Sequence, residues 1–212
     1  MANRRARRFV AWLPGMLLAT AAILQPWLEA SMARHMGLGL PLLFAIGWLA
    51  ARAAGPRLTH ALEPWNARGV TALVATMAVT AFWMLPAALD LAVLHIGVAL
   101  AKVATWVLAG LLTSASWKRA GTVIQAFFLL NWCWMTLAVG LIYREAPQQL
   151  CSVYLADEQA AAGAAMMCWA LAILGLWVPR AFVAGGIWGD GDEAWPPNEP
   201  PRHTVIPRGA RR

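Results

Sequence analysis

Met32-Ala33-Arg34-His35-Met36 places two thioethers and an imidazole at i, i+3 and i+4, positions that share one face of a helix. Thioethers with an imidazole form a soft donor set that suits Cu(I), whereas Zn(II) favours more His or Cys. Pro41 cannot donate to the carbonyl of Gly37, so the helix is expected to loosen just below this cluster. A second set follows Trp83: Met84, Pro86, Asp90 and His95. His95, Ala99 and Lys102 form one helical stripe, with Lys102 near the middle of its apolar segment. A charge there must pair, meet water or snorkel. Glu158 is one partner it could reach, and the carbonyls of a broken helix are another. The third set is Asp157-Glu158-Gln159 with Gly163, Met166 and Met167; Gln159, Gly163 and Met166 or Met167 share a face, and Gly163 permits close helix approach. Each set also has a plainer reading. Met fills gaps in cores, His sits at interfaces, and acidic residues cap helix N-termini. Cys133 and Cys168 read as small hydrophobes, and Cys151 as an unpaired loop thiol.

These side chains interrupt a strongly apolar chain. Of 212 residues 60% are hydrophobic and only 13% charged, with 13 Trp, and the mean hydropathy is +0.57. A soluble domain has about 25% charged residues, so a soluble enzyme, a disordered chain and a disulfide-stapled module are all excluded as classes. A membrane-spanning helix needs ~20 mostly apolar residues. Six stretches qualify: Phe9–Leu28, His35–Ala51, Val70–Leu89, Leu91–Thr113, Gly121–Tyr143 and Ala160–Pro179. The third and fourth are expected to form a tight hairpin around Pro86 and Asp90. The fold class is therefore all-α, a six-helix membrane bundle. Residues 1–8 are a basic cytoplasmic N-terminus, 9–179 the transmembrane domain, and 180–212 a Pro/Gly-rich cytoplasmic tail.

The cations set the expected orientation. Arg4, Arg5, Arg7, Arg8, Arg52, Arg57, Arg68, Lys118, Arg119, Arg180, Arg202, Arg208, Arg211 and Arg212 fall on one side, against only Arg34 and Arg144 on the other. Both termini are thus expected in the cytoplasm. Glu29, Asp90, Glu145, Asp157 and Glu158 all fall on the outer side, so the net charge of +7 reflects membrane orientation and not nucleic-acid binding. A cleaved secretory signal ending near Ala30-Ser31-Met32-Ala33 is the competing reading of the first span, but five further spans favour its retention.

Met32 to Met36 with Leu40-Pro41-Leu42-Leu43 resembles the His-containing helix of the CtaG-type cytochrome c oxidase assembly factors. Phe82-Trp83-Met84-Leu85-Pro86, Asp90, Leu94-His95 and Ala109-Gly110-Leu111-Leu112 resemble a second series in that family, and Glu158-Gln159, Ala162-Gly163 and Met166 a third. The likeness runs from about Met32 to Trp169. This chain has Met84 where the family has His after Trp, Glu158 where it has Asp, no second His shortly after His95, and one span fewer than the family's usual seven. The resemblance implies a bacterial inner-membrane protein serving oxidase assembly or copper handling at the periplasmic side, with oxidase subunits or copper chaperones as partners.

The expected copper set is His35, Met36, Met84 and His95, with the two imidazoles approaching one another in the outer leaflet. Met32, Asp90, Lys102, Glu158 and Gln159 are the further polar or soft groups of that leaflet. The alternatives are a non-enzymatic scaffold subunit, a small transporter with Lys102 and Asn131 lining a path, and a haem b protein with His35 and His95 as axial ligands. No nucleophile–base set, phosphate loop or catalytic carboxylate pair stands out, so no enzymatic chemistry is expected.

Overall fold

Long apolar stretches satisfy their backbone groups as helices, and helices account for all regular structure in the computed structural model, which describes residues 2–66 and 68–183. In chain order these are α1 (Ala2–Ile23), α2 (Gln25–Glu29), α3 (Met32–Ala54), α4 (Pro56–Leu62), α5 (Val70–Trp83), α6 (Pro86–Leu94), α7 (Ile96–Glu145) and α8 (Ala156–Val183). Three of them, α3, α7 and α8, are long and apolar enough to cross a membrane, and α5 with α6 makes a fourth if the bent pair is one span. The expected tail from residue 184 on, and the side chains of Arg4, Arg5, Arg7 and Arg8, lie outside the described residues.

Gly121 divides α7 into two limbs. Its φ of 65° and ψ of 168° are open to glycine and foreign to a helix. In a straight helix Trp117 and Phe128 would stand ~16 Å apart along the axis, yet their rings lie 6.3 Å apart, and Gln125 Nε2 donates to the Trp117 carbonyl at 2.7 Å. The chain therefore reverses at Gly121, as the expected boundary between Thr113 and Gly121 requires. Residues 96–120 and 122–145 run antiparallel.

The expected hairpin around Pro86 and Asp90 takes a different form. Proline pushes the residue before it out of the helical region, so Leu85 is extended (φ −75°, ψ 128°), α5 stops at Trp83, and α6 leaves at 77° to it. The Tyr143 hydroxyl donates to the Met84 carbonyl at 2.8 Å, close to this break. His95 is extended as well (φ −126°, ψ 117°), and the following span begins only at Ile96 instead of Leu91. Pro41 acts on α3 as expected: residues His35–Gly39 form a π turn directly before it. The carbonyl of Gly37, which Pro41 cannot serve, accepts a hydrogen bond from Trp169 Nε1 at 2.7 Å.

Close helix approach holds the bundle together. A Cβ at Gly47 of α3 would collide with the Val107 carbonyl, and one at Gly110 with the Phe44 carbonyl, so α3 and the first limb of α7 cross almost backbone to backbone. Gly163 of α8 meets Gly140 of the second limb in the same way. At one end of the bundle, buried Asn66 donates to Ser116 Oγ at 2.8 Å and its Oδ1 accepts from Ala72 N, tying the α4–α5 loop to the Gly121 turn. At the other end lie α2, the π turn, α6 and the 146–155 loop, and it is there that the polar groups collect.

Candidate functional site

Two features share the bundle interior: a closed polar ring near one end and a tryptophan-lined cavity below it.

The ring starts from Lys102, which is buried in the first limb of α7. It lies six residues past Ile96, ~9 Å down the helix, and so nearer the end than mid-span. Its ammonium donates to Glu29 Oε1 at 2.6 Å and to His35 Nε2 at 3.0 Å. His35 Nδ1 lies 2.9 Å from the Tyr154 hydroxyl, which itself donates to the Glu29 carbonyl at 3.0 Å. Because the phenol spends its proton on that carbonyl, Nδ1 must carry the proton of the His35–Tyr154 bond. Nε2 then offers its lone pair to Lys102. The ring closes on Glu29, whose carboxylate also accepts from Gln25 Nε2 at 3.2 Å. Every polar atom has a partner, which is the condition under which a charge is tolerated inside a membrane protein. Burial, together with the Glu29 carboxylate, pushes the Tyr154 phenol up, so it stays a protonated donor.

Lys102 faces the interior as its position demands, but its partners are Glu29 and His35. Glu158 instead accepts from Met32 N, at 3.5 Å. Glu29, expected as an outer surface charge, turns inward. Gln159 is buried and knits the loop: its Oε1 accepts from Leu150 N at 2.8 Å and its Nε2 donates to the Tyr143 carbonyl. Asp90 Oδ2 accepts from both N and Oγ of Ser152, each at 2.7 Å. Cys151 is buried beside it, and burial with the Asp90 carboxylate pushes its thiol up to about 11.

The structure separates the four residues expected to hold copper. His35 is buried with both ring nitrogens engaged, which leaves neither lone pair for a metal or a haem iron. His95 is exposed at the α6–α7 break, and its ring makes no hydrogen bond to the described residues. Met36 and Met84 are both buried and line one cavity, as does Met166 of α8. Met32 is fully buried in the neighbouring core. Among the described residues no three His, Cys, Asp or Glu side chains converge as a metal site. Of the four residues expected to hold copper, only the thioethers Met36 and Met84 line a common cavity. Asn131 is exposed and stands apart from the Lys102 ring.

The cavity has a volume of about 390 Å³ and is lined by Met36, Met84 and Met166 together with Trp48, Trp106, Trp117, Trp132, Trp169 and Trp177. Its wall hydroxyls all have partners: Thr80 donates to Met77 O, Thr113 to Ala109 O and Thr136 to Trp132 O, and Thr76 lies within reach of Ala72 O, Ala109 O and Thr113 Oγ1.

Composition held two signals to residues absent from the expected site. The chain has only two tyrosines, and both are buried with bonded hydroxyls. Glu29 was the carboxylate nearest to His35 in the chain, which made it the first partner to test for Lys102.

No family model, curated protein or solved structure matches this chain.

Proposed function

We propose that this is a multi-pass inner-membrane protein that handles Cu(I) at its periplasmic side in the assembly of cytochrome c oxidase. The observation that carries the reading is the cavity wall shared by Met36, Met84 and Met166, three buried thioethers from three separate parts of the chain. Thioethers are soft ligands that favour Cu(I) over the harder divalent ions. The resemblance of the Met32–Trp169 stretch to CtaG-type factors supports the same role, with oxidase subunits or copper chaperones as partners for the ion. His35 acts here as a positioning residue: its ring anchors the π turn that carries the adjacent Met36.

Six passes with both termini in the cytoplasm complete the proposal. The cation distribution supports this topology, as does the alternation of ends: residues 29–35, 84–95 and 145–158 gather at one, and 63–69 and 116–121 at the other. Reporter fusions after Arg34, Asp90 and Arg144 test it by reading periplasm, with fusions after Arg57 and Arg119 reading cytoplasm; one reversal breaks it.

The buried Lys102–Glu29 pair favours a second reading, a small transporter without metal. Copper titration into the purified protein separates the two. Saturable Cu(I) uptake that is lost in Met36→Leu with Met84→Leu supports the first reading. No uptake, with function lost in Lys102→Leu, supports the second.

A further inference from the structure

The two ends of the bundle carry opposite charge. The end with the polar ring presents Asp90, Glu145, Asp157 and Glu158 against Arg34 and Arg144. The other presents Arg52, Arg57, Arg68, Lys118, Arg119 and Arg180, and Glu63 is its only carboxylate among the described residues.

Packing gathers three of these cations at one seam. A Cβ at Gly69 would come within 2.9 Å of the Ser116 carbonyl, and Asn66 Nδ2 donates to Ser116 Oγ at 2.8 Å. The loop that ends in Gly69 therefore lies directly on the end of the first α7 limb. Arg68 precedes Gly69, while Lys118 and Arg119 follow Ser116, so all three side chains start from this seam. Arg119 is partly buried and engaged with Glu63, Nη2 to Oε1 at 3.5 Å. Arg68 and Lys118 are exposed, and neither has a carboxylate partner among the described residues. Two unpaired cations rooted at one seam repel each other, and an anion shared by both turns that repulsion into attraction.

The surroundings fix the class of anion. The seam lies where the apolar helices stop: Val70 opens α5 two residues after Arg68, and Gly121 turns the chain three residues after Lys118. Beyond it, Val70 and Val74 on α5 and Val123 and Phe127 on the second limb are exposed apolar pairs at i, i+4 spacing. Trp65 is exposed as well, and tryptophan favours the headgroup level of a bilayer. A soluble anion uses none of this apolar surface. A phospholipid uses both parts, its phosphodiester on the cations and its acyl chains along the exposed helix faces.

We propose that Arg68 and Lys118 bind the headgroup of an acidic phospholipid where the α4–α5 loop meets the Gly121 turn. The site requires only that the apolar helices cross a bilayer; neither copper nor the direction of insertion enters.

The test titrates the full chain in detergent micelles with dioleoylphosphatidylglycerol or dioleoylphosphatidylcholine and reads bound lipid by native mass spectrometry. Both lipids carry a phosphodiester, and only the first has a net charge. A basic side chain near a membrane surface is worth about 5-fold in affinity for acidic lipid. The expected result is a phosphatidylglycerol held about 5- to 25-fold tighter than phosphatidylcholine. Arg68→Gln with Lys118→Gln should remove that preference and leave phosphatidylcholine binding unchanged; both side chains are exposed and unpaired, so folding tolerates the change. Arg34→Gln with Arg144→Gln takes the same charge from the opposite end and should leave the preference intact. Equal affinity for the two lipids overturns the proposal, as does a preference that survives loss of Arg68 and Lys118. An equal loss in the opposite-end variant reduces the effect to net charge and overturns the site. Displacement by equimolar inorganic phosphate makes the occupant a free anion and overturns the lipid assignment.

Discussion

The ring of Glu29, Lys102, His35 and Tyr154 and the cavity beneath it lie in the same bundle, yet they treat polar groups in opposite ways. In the ring, charged and neutral groups are buried with every bond made. Around the cavity the wall is almost wholly apolar, and the Trp106 indole N–H is buried with no acceptor among the described residues. A complete network specifies a single geometry and resists change. The ring is thus the frame of its end of the bundle.

If that contrast is right, cutting the ring should cost far more than cutting the cavity wall. Lys102→Leu strands the Glu29 carboxylate and the His35 lone pair. Breaking a buried pair costs ~3–5 kcal/mol; Glu29 keeps some contact with solvent at 18% exposure, so about 3 kcal/mol is expected in reversible unfolding in detergent. Adding Glu29→Gln should recover part of the loss. A single variant as stable as wild type would mean the pair is a surface ornament. Tyr154→Phe leaves His35 Nδ1–H and the Glu29 carbonyl each without a partner, for a loss of about 1–2 kcal/mol in the same assay. Trp106→Phe should cost under about 1 kcal/mol, because the N–H it removes is unpaired in the folded protein. A larger loss there than at Tyr154 would reverse the contrast.

The 146–155 loop offers a finer probe. Cys151 has its thiol raised from 9.0 to about 11 by burial and by Asp90. A group with a raised folded pKa contributes stability that is fully present below pH 9 and is lost as pH climbs through about 11. A water-soluble maleimide at pH 8 should therefore label the folded protein much more slowly than the unfolded one. Equal rates would show that Cys151 is open to solvent and not held beneath Asp90.

The helical class and the presence of membrane-length apolar helices were legible in the chain because apolar runs of that length have few other readings. So was the loosening before Pro41, since a missing N–H has a local consequence that needs no tertiary knowledge. The turn expected around Pro86 and Asp90 caught the interruption but not its form, a 77° bend at Leu85, because the surrounding run stays apolar and hydropathy does not register a bend. Of the four residues expected to hold copper, two line one cavity and two do not. Met36 and Met84 share a wall because their helices pack. His35 was drawn off by Tyr154 and Lys102, and which long-range partner a buried imidazole finds is decided by helix rotation, which spacing does not report. The Lys102 interior position followed from the cost of a charge in hydrocarbon, but Glu29 as its partner depended on the short α2 turning inward at Pro26.

Copper X-ray absorption on the Cu(I)-loaded full chain, with the His95→Ala variant beside it, tests the central claim most directly. The account predicts about one Cu(I) per chain in a first shell of sulfur only, unchanged by His95→Ala and lost when Met36 and Met84 are both replaced by Leu. Imidazole nitrogen in that shell, or copper retained after both methionines are gone, would contradict it.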